Sequence, residues 1–377
     1  MKVNGFEWEG KKVLVTGASG FKGAWLCRTL VALGAEVYGT VRYQVDPDCS
    51  YALLELDHQI TNLFVDVCDL QAVLESVNSI QPDAIFHLAA KSIVREALRN
   101  PHSTFYINFT GALNVLEACR RVGSCPRILV CSTDHAIGGP DPSRIPPDGF
   151  DEKTPIDFSG PYDTSKAAEE LVTRSFHATY PSQLRTVCIT RCSNVFGLGD
   201  TNRSRVIPRF VTSAKKNKQV PLQYRKNGRQ FIYITDAIAG YVRALSSLSE
   251  RGPTPLLEAD SHDNQDPFTP TFHFSIERYS HAKTPYITLE MLAREVAQLF
   301  GATVDDSCAV DYAPNENRAH ALNCARTRSA LGWRPQTSLT DGLRKMGHWF
   351  DIAREPSKRR KMLDEEIGAL VSTLTNA

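Results

Sequence analysis

The 377-residue chain predicts a doubly wound α/β fold, a parallel sheet covered by helices, with a smaller C-terminal α/β lobe. Three observations carry that prediction. The first half alternates short β-rich runs with helical patterns in the βαβ rhythm of a parallel sheet. The opening run Val13-Leu14-Val15-Thr16 passes straight into Gly17-Ala18-Ser19-Gly20-Phe21-Lys22-Gly23 and then an apolar helical stretch. Past residue 192 the rhythm gives way to short pieces between polar loops. The strand, G-x-x-G-x-x-G turn and helix are the local frame that receives a dinucleotide pyrophosphate, which makes the first lobe Rossmann-type. Gly17 permits the tight turn, Gly20 lets the backbone approach the phosphates, and Gly23 lets the helix lie close on the strand.

Strands are expected at 12–16, 36–41, 62–66, 84–88, 127–132 and 185–190, with helices near 21–33, 69–80, 104–122 and 160–179. The stretch Thr104 to Arg121 carries the 3.6-residue apolar spacing (Phe105, Phe109, Leu113, Leu116) of a helix packed on a sheet. A Pro-, Gly- and Asp-rich stretch, 139–161, reads as a surface loop at the position of an active-site loop. Residues 250–286 have the composition of an insertion, and Thr288 with Glu290 in the first turn starts a further helix. The expected organisation is a dinucleotide-binding domain over 1–192, its sheet completed by part of 231–260. A substrate lobe follows from 193–230 and 261–350, then a helical extension over 351–377.

A hydrophobic fraction of 42% and a charged fraction of 23% are those of a globular protein, and a net charge of +1 offers no field for nucleic acid. The one basic run, Lys358-Arg359-Arg360-Lys361, opens a segment with amphipathic spacing and reads as the solvated start of a terminal helix. Ten scattered cysteines without a C-x-x-C pair point to a reducing compartment, and no stretch is apolar enough to span a membrane. The expected location is cytoplasmic. The histidines after 260 lack metal-ligand spacing, so no metal is expected.

Tyr162 and Lys166 stand four apart in Gly160-Pro161-Tyr162-Asp163-Thr164-Ser165-Lys166, on one face of a helix that follows the long loop. An ammonium there is expected to lower the phenol pKa and to hold a cofactor ribose. Strand 127–132 ends in Cys131-Ser132-Thr133-Asp134-His135, a hydroxyl and a carboxylate at the carboxyl edge where ligands bind parallel sheets. The fourth strand ends in Leu88-Ala89-Ala90-Lys91-Ser92, small residues that leave room for a nicotinamide ring.

These residues together resemble the extended short-chain dehydrogenase/reductase family, the nucleotide-sugar epimerases and dehydratases, over roughly 10–350 of this chain. Further marks of the resemblance are Arg191-Cys192-Ser193-Asn194-Val195-Phe196-Gly197, Arg229-Gln230-Phe231-Ile232-Tyr233-Ile234-Thr235-Asp236 and Leu331-Gly332-Trp333-Arg334-Pro335. The opening Trp8 to Leu26, with Arg205-Val206-Ile207-Pro208 and Asn323-Cys324-Ala325-Arg326, is similar to the CDP-glucose 4,6-dehydratase group. The resemblance implies that Thr133 binds the sugar C4 hydroxyl, Tyr162 is the base, Lys166 its partner, and Asp134 the acid for loss of water. At position 135 the chain departs from the family's Glu or Lys. A neutral imidazole at His135 accepts a C5 proton at neutral pH, or it packs and orients Asp134.

For the cofactor, the resemblance points to Gly17, Ser19, Gly20, Phe21, Lys22, Gly23, Asp66, Val67, Leu88, Ala89 and Ala90 beside Tyr162 and Lys166. Val41 stands where NAD-dependent members end the second strand in Asp, and Arg42 follows. Missing repulsion plus a guanidinium favours NADP(H), while the CDP-glucose similarity favours NAD. For the substrate, Lys91, Ser92, Asn194, Arg205, Arg229 and Arg318 match diphosphate or sugar positions. Asp236 is expected to be structural, and Asn108 to bond backbone near the site. The resemblance further implies a homodimer through 104–122 and 160–179. The activity implied is a sugar-nucleotide 4,6-dehydratase. A 4-epimerase of the same family, for which Asp134 has no acid role, and a non-catalytic dinucleotide-binding protein are the alternatives.

Overall fold

The computed structural model describes residues 1–376 apart from 43–45, 140, 158, 249–268, 277–278, 280–281 and 315–316. The central strands are β1 (Lys12–Thr16), β2 (Glu36–Thr40), β3 (Thr61–Leu63), β4 (Ala84–His87), β5 (Arg127–Thr133), β6 (Val187–Cys192) and β7 (Thr271–Phe274). All neighbours run parallel, in the order β7-β6-β5-β4-β1-β2-β3. The order reverses at β1, the switch point beside which the glycine turn lies. The longer described helices are α1 (Phe21–Ala32), α2 (Leu70–Ile80), α3 (Pro101–Val122), α4 (Pro161–Thr179), α5 (Val206–Asn217), α6 (Ile234–Ser247), α7 (Leu289–Phe300), α8 (Leu339–Asp351) and α9 (Pro356–Thr375), with shorter ones at Ser50–Leu53, Val94–Arg99 and Ala325–Leu331.

Strand alternation sorts the core into two layers. In β1, Val13 and Val15 join one cluster with α1, α6 and α9, and Leu14 faces the other with α2 and α3. In β5, Leu129 and Cys131 face the first layer, Ile128 and Val130 the second. Pro101 and Pro161 open α3 and α4, where their missing N–H groups cost nothing. Asp69 and Thr288 cap α2 and α7 through side-chain oxygens, the second as the sequence indicates.

One part of the expected organisation is corrected. Within 231–260, Phe231–Tyr233 pairs with Asn194–Phe196 in a separate ladder, and Ile234–Ser247 is a helix. The seventh sheet strand is instead Thr271–Phe274, inside the stretch assigned to the substrate lobe; residues 249–260 lie outside the described residues. The apolar run of 234–245 belongs to a helix buried nearly all round, and such a run reads as strand or helix alike. The basic run at 358–361 is partly corrected too. Arg359 is buried against the Trp349 ring, 4.3 Å from its centroid, and donates to Asp48 at 3.1 Å.

The side chain that ties the sheet to α4 is Glu170. It accepts from Arg191 Nε at 3.0 Å and Nη2 at 2.7 Å, and from Ser132 Oγ at 2.6 Å, with Arg191 1% exposed. Burial opposes its charge, but the Arg191 and Arg174 guanidinia hold the carboxyl down at about 2. A carboxylate held below its ordinary 4.5 stabilises the fold above that pH, and the contribution is lost as pH falls towards 2. Replacing Glu170 by Ala strands a buried guanidinium, and urea denaturation is expected to show a loss of about 3–5 kcal/mol.

Candidate active site

The glycine turn is shaped by contacts that no side chain tolerates. Gly17 has φ +74°, and a Cβ there would lie 2.9 Å from the Ala89 backbone. A Cβ on Gly23 would lie 2.1 Å from the Gly17 carbonyl oxygen, and one on Gly20 3.2 Å from it. Gly20 is the N-cap of α1 and brings no side chain to its first-turn N–H groups, so the helix start is a bare cradle for an anion. Thr16 Oγ1 accepts from the Leu88 and Ala89 N–H groups, each at 3.2 Å, which fixes the end of β4 and Ala90 beside the turn. Ser19 accepts from the Arg42 N–H at 3.4 Å, and Arg42 is exposed just past β2. Asp66 is exposed and its carboxylate accepts the Cys68 N–H at 2.9 Å; buried Val67 offers its carbonyl to Asn114. The residues present fit a dinucleotide.

At the carboxyl edge, β5 delivers Thr133, Asp134 and His135, all less than 8% exposed. Thr133 Oγ1 donates to Asp134 Oδ1 at 3.0 Å and hydrogen-bonds the Tyr162 hydroxyl. Asp134 Oδ2 is buried without a partner, and burial lifts this carboxyl above the ordinary carboxylate range. His135 Nδ1 lies 3.0 Å from Asp163 Oδ1. Burial disfavours its cation, yet Asp163 and Asp134 outweigh burial and raise the imidazole pKa. The His320 ring lies over His135 with centroids 4.1 Å apart; both its nitrogens are buried without partners, and burial keeps it neutral.

Lys166 departs from expectation. Its ammonium donates to the Cys131 carbonyl at 2.7 Å and pairs with Glu169. The Tyr162 phenol is raised, not lowered: burial dominates, and Asp134, Cys131 and Asp163 add to it. The helical spacing does put both residues on α4, but a buried carboxylate three residues on takes the ammonium's charge. Glu169 itself is pushed up to about 7 by burial.

Thr133, Asp134, His135 and Tyr162 border a cavity of about 250 Å³ that also receives Phe21, Lys22, Ser92, Asn194, Arg205 and Arg229. Among the lining residues Lys22, Arg95, Arg205, Arg209 and Arg229 are cationic and Asp134 is the one carboxylic acid. Arg229 donates to the Gly228 and Asn317 carbonyls, at 2.8 and 3.0 Å, and its charge bears on Asp134 and His135. Arg205 pairs with buried Asp200 at 3.1 Å, and Asn194 donates to the Gln230 carbonyl. Two expected substrate residues do not line the cavity. Lys91 turns back to Ser103 on α3 at 2.9 Å, and exposed Arg318 lies over the Tyr312 ring. Asn108 does clamp the Lys91 backbone, bonding both its N–H and its carbonyl, and Asp236 accepts two loop N–H groups.

Sequence reasoning assigned no role to Arg95, Arg209, Asp163, Asn317 or His320. Asp163 sits inside the Tyr162–Lys166 motif and was open to notice; His320 lies in no local pattern. It reaches His135 because Ala319 bridges to Gly228.

The family description GDP-mannose 4,6 dehydratase matches residues 14–346. The chain belongs to that family. It is 27% identical over 350 residues to a CDP-glucose 4,6-dehydratase of Salmonella typhimurium, covering 91% of each chain. It is 26% identical to dTDP-glucose 4,6-dehydratase 1 of Escherichia coli, over 90% of this chain and 92% of that one. Among solved structures, a dTDP-glucose 4,6-dehydratase of Streptomyces venezuelae with NAD bound superposes with a TM-score of 0.73 at 25% identity, over 91% of this chain and 98% of that one. A UDP-glucose 4-epimerase of Thermotoga maritima shares the fold, with a TM-score of 0.74 at 20% identity, over 91% of this chain and all of that one. The extended short-chain dehydrogenase/reductase resemblance and its dehydratase branch are thereby met.

Gly17→Ala is expected to fold with the turn displaced, because its φ and the Ala89 backbone both reject a methyl group. Fluorescence titration with NADH and NADPH should show affinity falling by about tenfold or more, from a strain of roughly 1–3 kcal/mol.

Proposed function

We propose that this protein dehydrates a sugar nucleotide across C5 and C6, holding a nicotinamide dinucleotide that is regenerated in each turnover. The single observation that carries the reading is Asp134. It is a buried carboxyl, raised by burial, with one oxygen unpartnered, beside Thr133 and Tyr162 in a cationic cleft. Such a group keeps a proton to give, which is what an acid for water loss requires. The five cations of the cleft suit a diphosphate, and Arg229 and Arg205 supply guanidinium forks.

The turn Gly17 to Gly23 would hold a nicotinamide dinucleotide, which would supply hydride uptake at C4 and hydride return at C6. The protein's own residues move the protons. Thr133 orients the C4 hydroxyl, and Tyr162 accepts its proton once the phenol has ionised, which needs the Lys166 ammonium released from Glu169. His135 Nε2 takes the proton on C5, and Asp134 protonates the departing 6-hydroxyl. A 4-epimerase needs Thr133 and Tyr162 but leaves Asp134 without work.

The cofactor is assigned as NADP(H) over NAD, because β2 ends without an acidic residue and exposed Arg42 follows Val41. A homodimer through α3 and α4 accords with Tyr106 and Leu171, exposed on those helices. A cytoplasmic location accords with ten free cysteines; no described helix is long and apolar enough to cross a membrane.

Incubation with CDP-glucose, GDP-mannose and dTDP-glucose is expected to yield a 4-keto-6-deoxy product, lighter by one water and absorbing in base. Conversion without water loss overturns the reading in favour of epimerisation. Asp134→Asn should lower dehydration by roughly 10²–10⁴-fold while C4 oxidation persists. Mass analysis of the nucleotide released on denaturation should find NADP(H); recovery of NAD(H) alone reverses that assignment.

A further inference from the structure

We infer that Asp163 is a positioning residue, which holds the His135 imidazole as the base for C5, and this inference rests on the dehydratase reading above. Asp163 is 3% exposed, does not line the cavity, and gives its two oxygens to different tasks. Oδ1 meets His135 Nδ1 at 3.0 Å. Oδ2 accepts from Ser159 Oγ at 3.0 Å and from Asn317 Nδ2 at 3.3 Å. A carboxylate that accepts from Nδ1–H fixes the tautomer whose lone pair is on Nε2, leaving that nitrogen for the cleft His135 lines.

The ring is also fixed in orientation. His320 covers it at 4.1 Å between centroids, and the Tyr162 ring meets it edge-on at 5.8 Å. The charged and titratable groups facing His135 are Asp163 and Tyr162 from α4, Asp134 from its own turn, Arg229 from the 228–229 strand, and His320 from the 317–322 segment. Two carboxyls favour the imidazolium and Arg229 opposes it; neutral His320 adds no competing charge.

The Nε2 lone pair takes the C5 proton, and the C5–H electron pair becomes the C5=C6 bond. The C6–O bond breaks and its oxygen leaves as water with the Asp134 proton. The imidazolium returns its proton to C5 as C6 receives the hydride that a bound nicotinamide would supply. Asp163 faces the cation only while His135 carries the proton. Its contribution therefore falls on the C5 step and not on C4 oxidation.

The test compares wild type with Asp163→Asn and Asp163→Glu on the cofactor-loaded enzyme. Asp163→Asn is expected to form reduced cofactor from CDP-glucose, read at 340 nm, at the wild-type rate. Its C5 deuterium exchange and water loss should fall by roughly 10²–10⁴-fold in kcat with KM little changed, and Asp163→Glu should recover part of both. Independently of turnover, the His135 imidazole, followed by NMR, should titrate at lower pH in Asp163→Asn. Dehydration within about threefold of wild type, or equal losses in C4 oxidation and C5 exchange, overturns the inference. Wild-type enzyme that turns over no sugar nucleotide by water loss overturns the dehydratase reading instead; an unshifted His135 titration then overturns the Asp163–His135 coupling as well.

Discussion

A fully buried ion pair sets the geometry on which the site depends. Glu170 on α4 takes both its oxygens to Arg191 of β6 and one also to Ser132 of β5. Apolar packing alone lets a helix slide over a sheet by fractions of a turn, because methyl contacts are non-directional. A bidentate guanidinium does not permit that, since displacement breaks two charge-assisted bonds where water cannot replace them. Ser132 immediately precedes Thr133, and Lys166 and Tyr162 stand one and two turns before Glu170. The clamp thus fixes the distance between the strand that carries Thr133, Asp134 and His135 and the helix that carries Tyr162 and Asp163.

Adjacent carboxyls on α4 show how burial is resolved differently within a single turn. Glu170 has two guanidinia and a hydroxyl, and its carboxyl sits at about 2. Glu169 is equally buried but has one ammonium, and burial wins, pushing it to about 7. Lys166 is the group caught between roles. Its charge is bound by Glu169 in this arrangement, and the phenol of Tyr162 keeps its proton. Protonation of Glu169 near neutrality weakens that pairing and frees positive charge on α4 one turn from the phenol. The expectation that an i, i+4 ammonium acts on the phenol left out the residue at i+3 from the lysine, which competes for the same cation.

What was legible in the sequence was local. Turn geometry at Gly17 and Gly23 and the capping residue Thr288 each depend on a few neighbouring residues. The strands and helices expected over 12–190 follow from such signals within a few residues at their ends, whereas the short helices Ser50–Leu53 and Val94–Arg99 were not expected. The unreadable parts depend on contacts between distant segments. Thr271–Phe274 completes the sheet because β6 lies open beside it, although it lies inside the stretch 250–286 whose composition reads as insertion. Lys91 and Arg318 carry the right charge at the right sequence positions, yet Ser103 and Tyr312 draw their side chains elsewhere. Asn317 meets Asp163 across 154 positions, and no periodicity encodes such a meeting.

The segment 317–322 explains why substrate-facing and proton-moving groups are coupled in this molecule. Ala319 bridges to Gly228 and Leu322 to Phe150, so one short piece of chain is anchored to both the Arg229 strand and the long loop before α4. Its carbonyl at Asn317 fixes the Arg229 guanidinium, its Asn317 amide reaches Asp163, and His320 covers His135. On the proposed function, a diphosphate bound at Arg229 would pull on the same support that holds the imidazole. Displacement of that support would change the His135 environment from two sides, through Asp163 and through His320. Binding energy from the nucleotide end of the substrate would then have a physical route to the carbon that loses its proton, without either group touching the other.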